Sequence, residues 1–430
     1  MKIIILVIGS TGDVAPMVAL GRGLAARGHE VTLASYAFFS KLSTEHGLKF
    51  VELPGDLLAL MKAPASRKLV AATGTNPIRY FYALAKHVRS ISPAIRPFLD
   101  RCKEICQKAD LLVYSLTTQF CAALADYYNI PAVQAYVHPF TSTSAFPSPL
   151  ANLKFPKGAL FNRLSHIIAE QVMWQPYRPI LNRWRWEDLG LSPIKLLDNI
   201  FQCANRSGTP TLYAYSPAVL PKPPDWNERI YVTGYWHLPT SRNWTPPIQL
   251  TDFLRAGPPP IYVGFGSMMH FDPSRLSDMI VEALAKTGNR GIVYTGWGGV
   301  VDRSLPSCCL RIENYVPHEW LFPKVKMVIH HGGAGTTGAV LRAGVPSIVH
   351  PSLGDQFFWG DRCFELGVGP RPIRRLTTSE LTRAIIAAQS SPKMLQNSRE
   401  LASRIRIEDG IDVASKAILE YAGRAGCSAA

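Results

Sequence analysis

The pattern of apolar and polar positions along this chain predicts strands that alternate with helices. The chain begins with "KIIILVI" (2–8), a continuous apolar run of strand length, and the glycine-rich stretch "GSTGD" follows it. The apolar residues of "APMVALGRGLAARG" recur at helical spacing, and "HEVTLAS" is again strand-like. A strand, a helix and a second strand in this order predict a βαβ unit, and therefore a parallel sheet with helices on its faces.

The same alternation continues through both halves of the sequence. "LLVYS" (111–115) and "PAVQAYV" (131–137) predict further strands, and the intervening segment 76–105 predicts long helices that break near Pro93 and Pro97. A second series of strands and helices starts at "PPIYVGFGS" and continues through "KMVIHH" and "VPSIVH". The sequence thus predicts an α/β protein with two doubly wound parallel sheets.

Length and turn residues indicate how the two sheets are divided between domains. A chain of 430 residues is too long for one ordinary core. Proline and other turn residues accumulate before residue 250, which favours a linker at 238–250. We therefore expect one domain at 1–237 and another at 251–430, facing each other across a central cleft, with the final helix packing back on the first domain.

Composition and charge narrow the classes of partner. The chain is 47% hydrophobic and 18% charged, which is typical of a globular enzyme. Its 46 Lys and Arg against 31 Asp and Glu give a net charge of +15, which suits nucleic acid, an anionic membrane surface or a phosphorylated substrate. The basic residues are scattered from Arg22 to Arg424 without a Lys/Arg-rich run, so nucleic acid is disfavoured and a membrane surface stays open.

The cysteines and the apolar runs indicate in which cellular compartment the protein is expected. The eight cysteines lack the spacing of a metal site, and the opening apolar run ends without a cleavage site for a signal peptide. No run approaches the roughly 20 apolar residues of a membrane span. These features predict a cytoplasmic protein with reduced thiols and, at most, peripheral contact with a membrane.

Aromatic residues are concentrated between residues 140 and 190, where Trp174, Tyr177, Trp184 and Trp186 stand close together. They fit the core of a helical subdomain. They also fit an apolar wall for a large ligand, because aromatic side chains commonly line such sites.

The stretch 327–356 carries the strongest chemical signal. It contains a G-x-G-x-x-G pattern from Gly333 to Gly338, and Asp355 follows it further along the chain. Taken literally, this is the fingerprint of a dinucleotide-binding unit. A glycine-rich turn before a helix that begins near Thr336 would bind phosphate groups through free backbone N–H groups and the helix dipole.

The neighbours of the glycines favour a different nucleotide site. The pattern lies late in the chain, and Asp355 belongs to a loop beyond the next strand, where it is paired with Gln356. Such a pair suits the hydroxyl groups of a sugar. His330 and His331 precede the glycines, where we expect His330 to be a satisfied residue at a strand end and His331 to contact phosphate.

In this combination the sequence resembles a known family. The segment "VPHEWLFPKVKMVIHHGGAGTTGAVLRAGVPSIVHPSLGDQFFWGDRCFELGVGP" resembles the donor-binding signature of nucleotide-sugar glycosyltransferases of the sterol 3-β-glucosyltransferase-like group, also called glycosyltransferase family 1. "GSTGDVAPMVALGRGLAARGHEV", "PPPIYVGFGSM" and "VTGYWHL" resemble other segments of that group. The resemblance covers nearly the whole chain and implies the GT-B fold, with two Rossmann-like domains.

The resemblance also implies roles for individual positions. The diphosphate would be held by the side chain of His331 and by the turn, and Asp355 and Gln356 would bind the donor sugar. The base would lie against the backbone of Val316. The other residues implied at the donor are Ser267, His318, Gly333, Gly335 and Thr336. Many relatives carry a glutamate at the position of Ala339, which leaves recognition of the ribose, and thus the choice of UDP or TDP, open.

Attack by an alcohol on the anomeric carbon needs a base, and Asp13 is the candidate. It follows the first strand at the carboxyl edge of the sheet, where α/β folds bind ligands. The alternative role of Asp13 is to cap a helix at 15–26. His138, in "AYVHPF", could relay the proton, line the acceptor pocket or pack in the core. Phe140 and Trp174 are further candidates for acceptor binding.

These features together predict an inverting transferase that moves a hexose, most simply glucose from UDP-glucose, to a lipophilic alcohol such as a sterol, terpenoid or polyketide. No Asp-x-Asp occurs in the sequence, so we expect transfer without a metal or other cofactor. We expect a monomer or weak dimer. The alternatives are a transferase for TDP-rhamnose or another deoxysugar, a sugar-nucleotide epimerase, an NAD-dependent dehydrogenase and a catalytically silent binding protein.

Overall fold

The chain forms two compact units in the computed structural model, which describes residues 1–56, 63–72, 77–150, 158–206, 208–241, 244–265, 273–294 and 305–428. The first unit comprises Met1–Leu238 together with Asp409–Ala430, and the second comprises Pro239–Glu408. Both are α/β units, as the alternation of apolar segments predicts.

A seven-stranded parallel sheet forms the centre of the first unit, with the strand order β3-β2-β1-β4-β5-β6-β7. Its strands are β1 (Lys2–Leu6), β2 (Glu30–Ser35), β3 (Lys49–Glu52), β4 (Leu111–Tyr114), β5 (Ala132–Tyr136), β6 (Thr211–Tyr213) and β7 (Ile230–Val232).

The helices of this unit include α16, which comes from the end of the chain and packs against α1. Arg27, just after α1, forms an ion pair with Asp412 of α16 at 2.5 Å. The described helices are α1 (Thr11–Ala25), α2 (Ser40–Glu45), α3 (Pro64–Ala72), α4 (Pro77–Cys106), α5 (Cys121–Tyr128), α6 (Ala159–Trp174), α7 (Arg178–Glu187), α8 (Ile200–Arg206) and α16 (Gly410–Ser428).

Helix α4 is continuous for 30 residues, so the predicted break near Pro93 and Pro97 is wrong. Proline normally interrupts a helix because it lacks the N–H that would bond to the carbonyl four residues earlier. Here the hydroxyl of Ser92 donates to the carbonyl of Arg89 at 2.9 Å, and so replaces the bond that Pro93 cannot make. In the described ranges neither α4 nor any other helix has the length and apolar character to cross a membrane.

A five-stranded parallel sheet forms the centre of the second unit, with the order β10-β9-β8-β11-β12. Its strands are β8 (Ile261–Gly264), β9 (Gly291–Tyr294), β10 (Cys309–Ile312), β11 (Met327–His330) and β12 (Ser347–Val349). The described helices are α9 (Ile248–Arg255), α10 (Pro273–Lys286), α11 (His318–Leu321), α12 (Ala334–Ala343), α13 (Gln356–Glu365), α14 (Thr378–Gln389) and α15 (Pro392–Arg406). Residues 248–250, which we expected to be linker, thus begin a helix.

Each sheet is covered on both faces, which explains why its strands appear in the sequence as uninterrupted apolar runs. In β8 the side chains of Ile261 and Val263 join one core cluster, while Tyr262 joins another. A strand that is buried on both faces has no need of alternating polar residues.

The direction in which the chain crosses each sheet reverses at one strand. β1 lies between β2 and β4, and β8 lies between β9 and β11. Loops at the carboxyl ends of the strands separate at such a point and leave a crevice, where α/β folds bind ligands. The loops after β1 and β11 therefore reach the position in each unit where a site is expected.

Candidate functional site

The turn between β11 and α12 exposes backbone N–H groups at the start of a helix. Gly333 is the N-cap residue, and no side chain caps it. The first amide to bond within the helix is that of Thr337, which donates to the carbonyl of Gly333 at 2.9 Å. The amides of Ala334, Gly335 and Thr336 precede it and have no partner in the described part of the chain, so they and the helix dipole favour an anion.

The helix begins at Ala334, two residues before the predicted start near Thr336. The structural reason is that Gly333 itself takes the extended N-cap conformation, with φ −62° and ψ 145°. Thr336 is therefore not the N-cap. It occupies the first turn, and its amide is one of the three groups that would face a phosphate.

Two glycines shape this turn. Gly332 has φ +90°, which favours glycine, and a Cβ atom there would lie 2.7 Å from Val349 and 2.9 Å from the backbone oxygen of Gln356. A Cβ atom on Gly333 would lie 2.5 Å from Nε2 of His331. The turn thus needs glycine at position 332, whereas a side chain at position 333 would displace the imidazole of His331.

The two neighbouring histidines have different environments. His330 is completely buried, its Nδ1 accepts the N–H of Gly332 at 3.1 Å, and its Nε2 lies 2.8 Å from the hydroxyl of Ser347. Burial and the charge of His331 hold the pKa of His330 well below its usual value. His330 is therefore a neutral structural residue, as expected, while His331 is half-buried beside the free amides.

His318 lies close enough to His331 to feel its charge. The ring of His318 stacks on Phe322, with centroids 4.3 Å apart and planes at 13°. Burial, helped by the charge of His331, lowers the pKa of His318 to about 4. Val316, two residues earlier, is buried in the core, so only its backbone is a candidate for contact with a base. Ser267, the remaining predicted donor residue, lies outside the described residues.

Asp355 ends the loop after β12, as the sequence predicts, and Gln356 is the first residue of α13. Asp355 is the N-cap residue, and its Oδ2 accepts the indole N–H of Trp359 at 2.9 Å. Oε1 of Gln356 accepts the amides of Ser352 and Leu353 at 2.9 and 3.1 Å. These two bonds hold the side chain of Gln356 against the loop that precedes α13.

In the first unit, Asp13 is held by Ser10. The backbone N–H and the hydroxyl of Ser10 donate to Oδ2 of Asp13 at 2.8 and 2.9 Å. Ser10 is the N-cap of α1, which begins at Thr11 rather than at residue 15, so the alternative that Asp13 is itself the N-cap is wrong. The signal in the sequence that identifies Ser10 is the S-x-x-D spacing of a capping box.

The surroundings of Asp13 raise the pKa of its carboxyl group. Burial raises its pKa, while the hydrogen bonds from Ser10 and the charge of His138 lower it. His138 follows β5 and is half-buried. The structure therefore brings the two predicted catalytic residues within electrostatic reach of each other.

The other predicted acceptor residues are interior. Phe140 is 3% exposed, and its ring centroid lies 4.7 Å from that of Phe201. Trp174 is 1% exposed and Trp184 is 2% exposed, whereas Trp186 is 64% exposed. The aromatic segment is thus mainly a core, and a role for Phe140 or Trp174 in acceptor binding stays a prediction.

Comparison with known proteins agrees with this geometry. Residues 3–143 match the glycosyltransferase family 28 N-terminal domain, and residues 299–410 match the erythromycin biosynthesis protein CIII-like C-terminal domain. A sterol 3-β-glucosyltransferase of Arabidopsis thaliana is 36% identical over 98% of this chain and 66% of its own length. One of Aspergillus oryzae is 36% identical over 98% of this chain and 30% of its own length. The chain thus spans less than a third of the fungal relative.

Solved structures show the same fold. The glycosyltransferase of kitacinnamycin superposes with a TM-score of 0.69 at 20% identity, covering 98% of both chains. The glycosyltransferase VinC in complex with dTDP superposes with a TM-score of 0.62 at 19% identity, covering 99% of this chain and 100% of its own. These neighbours confirm the predicted GT-B fold.

Proposed function

Since this chain belongs to the GT-B glycosyltransferases and is related along nearly its whole length to sterol 3-β-glucosyltransferases, we propose that it transfers a hexose from a nucleotide-diphosphate sugar to a hydroxyl group of a lipophilic acceptor. The observation that carries the proposal is the turn after β11. Three free amides begin α12 there, the imidazole of His331 lies beside Gly333, and the backbone of Gln356 lies beside Gly332.

In this proposal the diphosphate binds at the N-terminus of α12. The amides of Gly335 and Thr336 donate to its oxygens, and the hydroxyl of Thr336 adds a further hydrogen bond. His331 faces the same anion from the preceding residue. These groups also stabilise the charge that develops on the departing nucleoside diphosphate, so the transfer needs no metal ion.

The two ends of the donor have separate contacts. The side chains of Asp355 and Gln356 bind hydroxyl groups of the hexose. The base lies against the backbone of Val316, close to His318, whose pKa burial lowers to about 4. UDP-glucose is the donor we propose, in line with the glucosyltransferase relatives.

Asp13 acts as the general base. Its Oδ2 is held by Ser10, and no hydrogen bond from the described residues reaches Oδ1, so Oδ1 accepts the proton of the acceptor hydroxyl. The acceptor oxygen attacks the anomeric carbon from the face opposite the nucleotide. The bond to the diphosphate breaks, the diphosphate leaves with the electron pair, and the anomeric configuration inverts. A carboxyl with a raised pKa suits this role near neutral pH.

The acceptor we propose is a sterol or another lipophilic natural product, and the protein makes peripheral contact with the membrane that holds it. A TDP-linked deoxysugar is the second candidate donor. It is favoured by the fold shared with VinC, which binds dTDP, and by the alanine at position 339.

A screen of nucleotide release tests the proposal. Purified protein is incubated with UDP-glucose, other UDP-sugars and TDP-sugars against a panel of sterols, terpenoids and polyketides, and released nucleotide is measured. We expect release that depends on both donor and acceptor and disappears in Asp13→Asn. Conversion of the donor without acceptor would indicate an epimerase. Binding of NADH in preference to UDP would indicate a dehydrogenase, and UDP binding without turnover a silent binding protein.

A further inference from the structure

Helix α6 has its apolar side chains on the outside. Leu160, Phe161, Leu164 and Ile167 are 76%, 37%, 41% and 45% exposed. Positions 160, 164 and 167 share one face of a helix, because residues three and four apart are neighbours. An ordinary surface helix would bury this face.

Three buried polar side chains on the inward face of α6 take part in hydrogen bonds. Ser165, His166 and Glu170 are at most 3% exposed. The hydroxyl of Ser165 accepts the amide of Ser148 at 2.8 Å, and Nε2 of His166 lies 3.2 Å from the carbonyl oxygen of Phe146.

Glu170 receives two further bonds, from the side-chain amides of Asn199 and Gln202, both at 3.0 Å. Rotating the helix to bury its leucines would leave these buried partners unsatisfied, which is costly. The outward orientation of the apolar residues is therefore fixed by the rest of the unit.

A neighbouring turn extends the apolar surface. Leu196 and Leu197 are 59% and 85% exposed. The side chains of Gln175 and Gln171, at the end of α6, donate to their carbonyl oxygens at 2.8 and 3.0 Å. We call the outward residues of α6 together with this turn the α6 surface; it consists of Leu160, Phe161, Leu164, Ile167, Leu196 and Leu197.

Two exposed basic side chains lie beside the α6 surface, and the acidic Asp198 and Asp225 also lie near it. Arg163 lies on the outward side of the helix and Lys195 precedes the two leucines of the turn, and both are exposed. Asp225 approaches Arg163 only to 3.4 Å, and the Arg163 side chain is still 58% exposed. The one acidic residue of α6, Glu170, is turned inward. With a net charge of +15, two copies would repel each other, whereas an anionic bilayer would attract this surface.

We propose that the α6 surface inserts into the interface of an anionic lipid bilayer, with its leucine and isoleucine side chains among the acyl chains and Arg163 and Lys195 at the headgroups. An exposed apolar helix face flanked by basic residues is the arrangement with which proteins bind the membrane surface. The inference rests on the proposed function in one respect: the bilayer would also hold the lipophilic acceptor.

Sedimentation with vesicles tests the inference without any donor or acceptor. Full-length protein is mixed with vesicles of phosphatidylcholine alone, or of phosphatidylcholine with phosphatidylglycerol. The test variant is Leu164→Ser/Ile167→Ser. The matched control is Ile248→Ser/Ile407→Ser, which removes two aliphatic side chains that are 77% and 85% exposed in the second unit. We expect binding to the anionic vesicles, a loss of at least about tenfold in partitioning for the test variant, and none for the control.

Equal binding of wild type and test variant would overturn the inference. So would a dimer of the wild type in solution that the test variant dissociates, because a second copy would then be the partner. Turnover of a water-soluble alcohol by the test variant should equal that of the wild type. If neither protein turned over this alcohol, the proposed function would be contradicted. The result of the vesicle experiment would be unaffected.

Discussion

Ser10 donates both its backbone N–H and its hydroxyl to one oxygen of Asp13, at 2.8 and 2.9 Å. The two bonds fix Oδ2 at the start of α1, so the carboxylate cannot rotate freely. Gly9 permits this arrangement, because a Cβ atom there would lie 2.5 Å from the same oxygen. The hydrogen bonds between Ser10 and Asp13 at the start of α1 therefore also orient the proposed catalytic base.

Replacement of Ser10 by alanine should move the pH dependence of the reaction. The hydroxyl of Ser10 favours the ionised form of Asp13, so its loss raises the pKa of that carboxyl further. Because the base must be ionised, the acid limb of kcat/KM should shift to higher pH in Ser10→Ala and return in Ser10→Thr. Loss of the hydrogen bond from Ser10 to Asp13 should also lower the free energy of unfolding by about 1 kcal/mol. An unchanged acid limb would contradict the role of Asp13 as base.

Asp13→Asn should separate activity from stability. We expect kcat to fall by about 10²- to 10⁴-fold, since the base is lost. Burial raises the pKa of Asp13 in the folded state above its unfolded value, so its contribution to stability is present below the unfolded pKa and is lost as pH rises through the folded pKa. At neutral pH the variant should therefore unfold at least as late as the wild type on heating. The difference should shrink as the pH is lowered, and a less stable variant would show that ionised Asp13 supports the fold.

The sequence could predict those elements whose structure depends on the residues of the segment itself. The run 2–8 is uninterrupted because its strand is buried on both faces, and such runs predicted the strands of both sheets. The glycine-rich turn between β11 and α12 was predictable in the same way, and its role in donor binding stays a prediction. The conformation of Gly332, with φ +90°, lets the turn approach the backbone of Gln356 closely.

Other features depend on partners that no local pattern specifies. Helix α4 passes through Pro93 because Ser92 supplies the missing hydrogen bond, which proline spacing alone does not indicate. The outward orientation of the apolar residues of α6 depends on Asn199 and Gln202. These residues lie about thirty positions further along the chain and donate hydrogen bonds to Glu170. Burial of Trp174 likewise follows from packing rather than from its place in an aromatic segment.

Gly333→Ala should weaken binding of the nucleotide. The added Cβ atom would meet Nε2 of His331 at 2.5 Å, so the imidazole must leave its position beside the free amides. We expect the dissociation constant for UDP, measured by calorimetry, to rise at least about tenfold. Gly423→Ala is the matched control, because a Cβ atom there has no neighbour within 4 Å. Equal affinity of both variants would contradict the placement of the diphosphate at this turn.

Removal of metal ions should leave the reaction unaffected. In our proposal the amides of α12 and His331 stabilise the departing diphosphate, and turnover should persist in EDTA. His331→Gln, which retains a hydrogen-bond donor but cannot become charged, should lower kcat by about 10²-fold. Loss of turnover in EDTA and its return with magnesium would show that the helix terminus is insufficient.

Tyr213→Phe should impair use of the acceptor while sparing the donor. The hydroxyl of Tyr213 accepts the amides of Phe140 and Thr141 at 3.2 and 2.7 Å, and lies 2.7 Å from the hydroxyl of Thr141. It thereby fixes the loop that begins at His138, the residue whose charge acts on Asp13. Removing it leaves two amides of the loop unsatisfied and should lower the free energy of unfolding by about 1–3 kcal/mol.

The kinetic effect distinguishes a positioning role for Tyr213 from a general loss of stability. The variant, assayed well below its unfolding temperature, should show a higher KM for the acceptor and a lower kcat. Its affinity for UDP should stay unchanged, since the donor turn belongs to the other unit. Tyr114→Phe is the matched control: Tyr114 is equally buried in the same sheet, but its hydroxyl has no hydrogen-bond partner within the described ranges. If the two variants have the same KM and kcat, the hydroxyl of Tyr213 holds the loop without influence on the reaction.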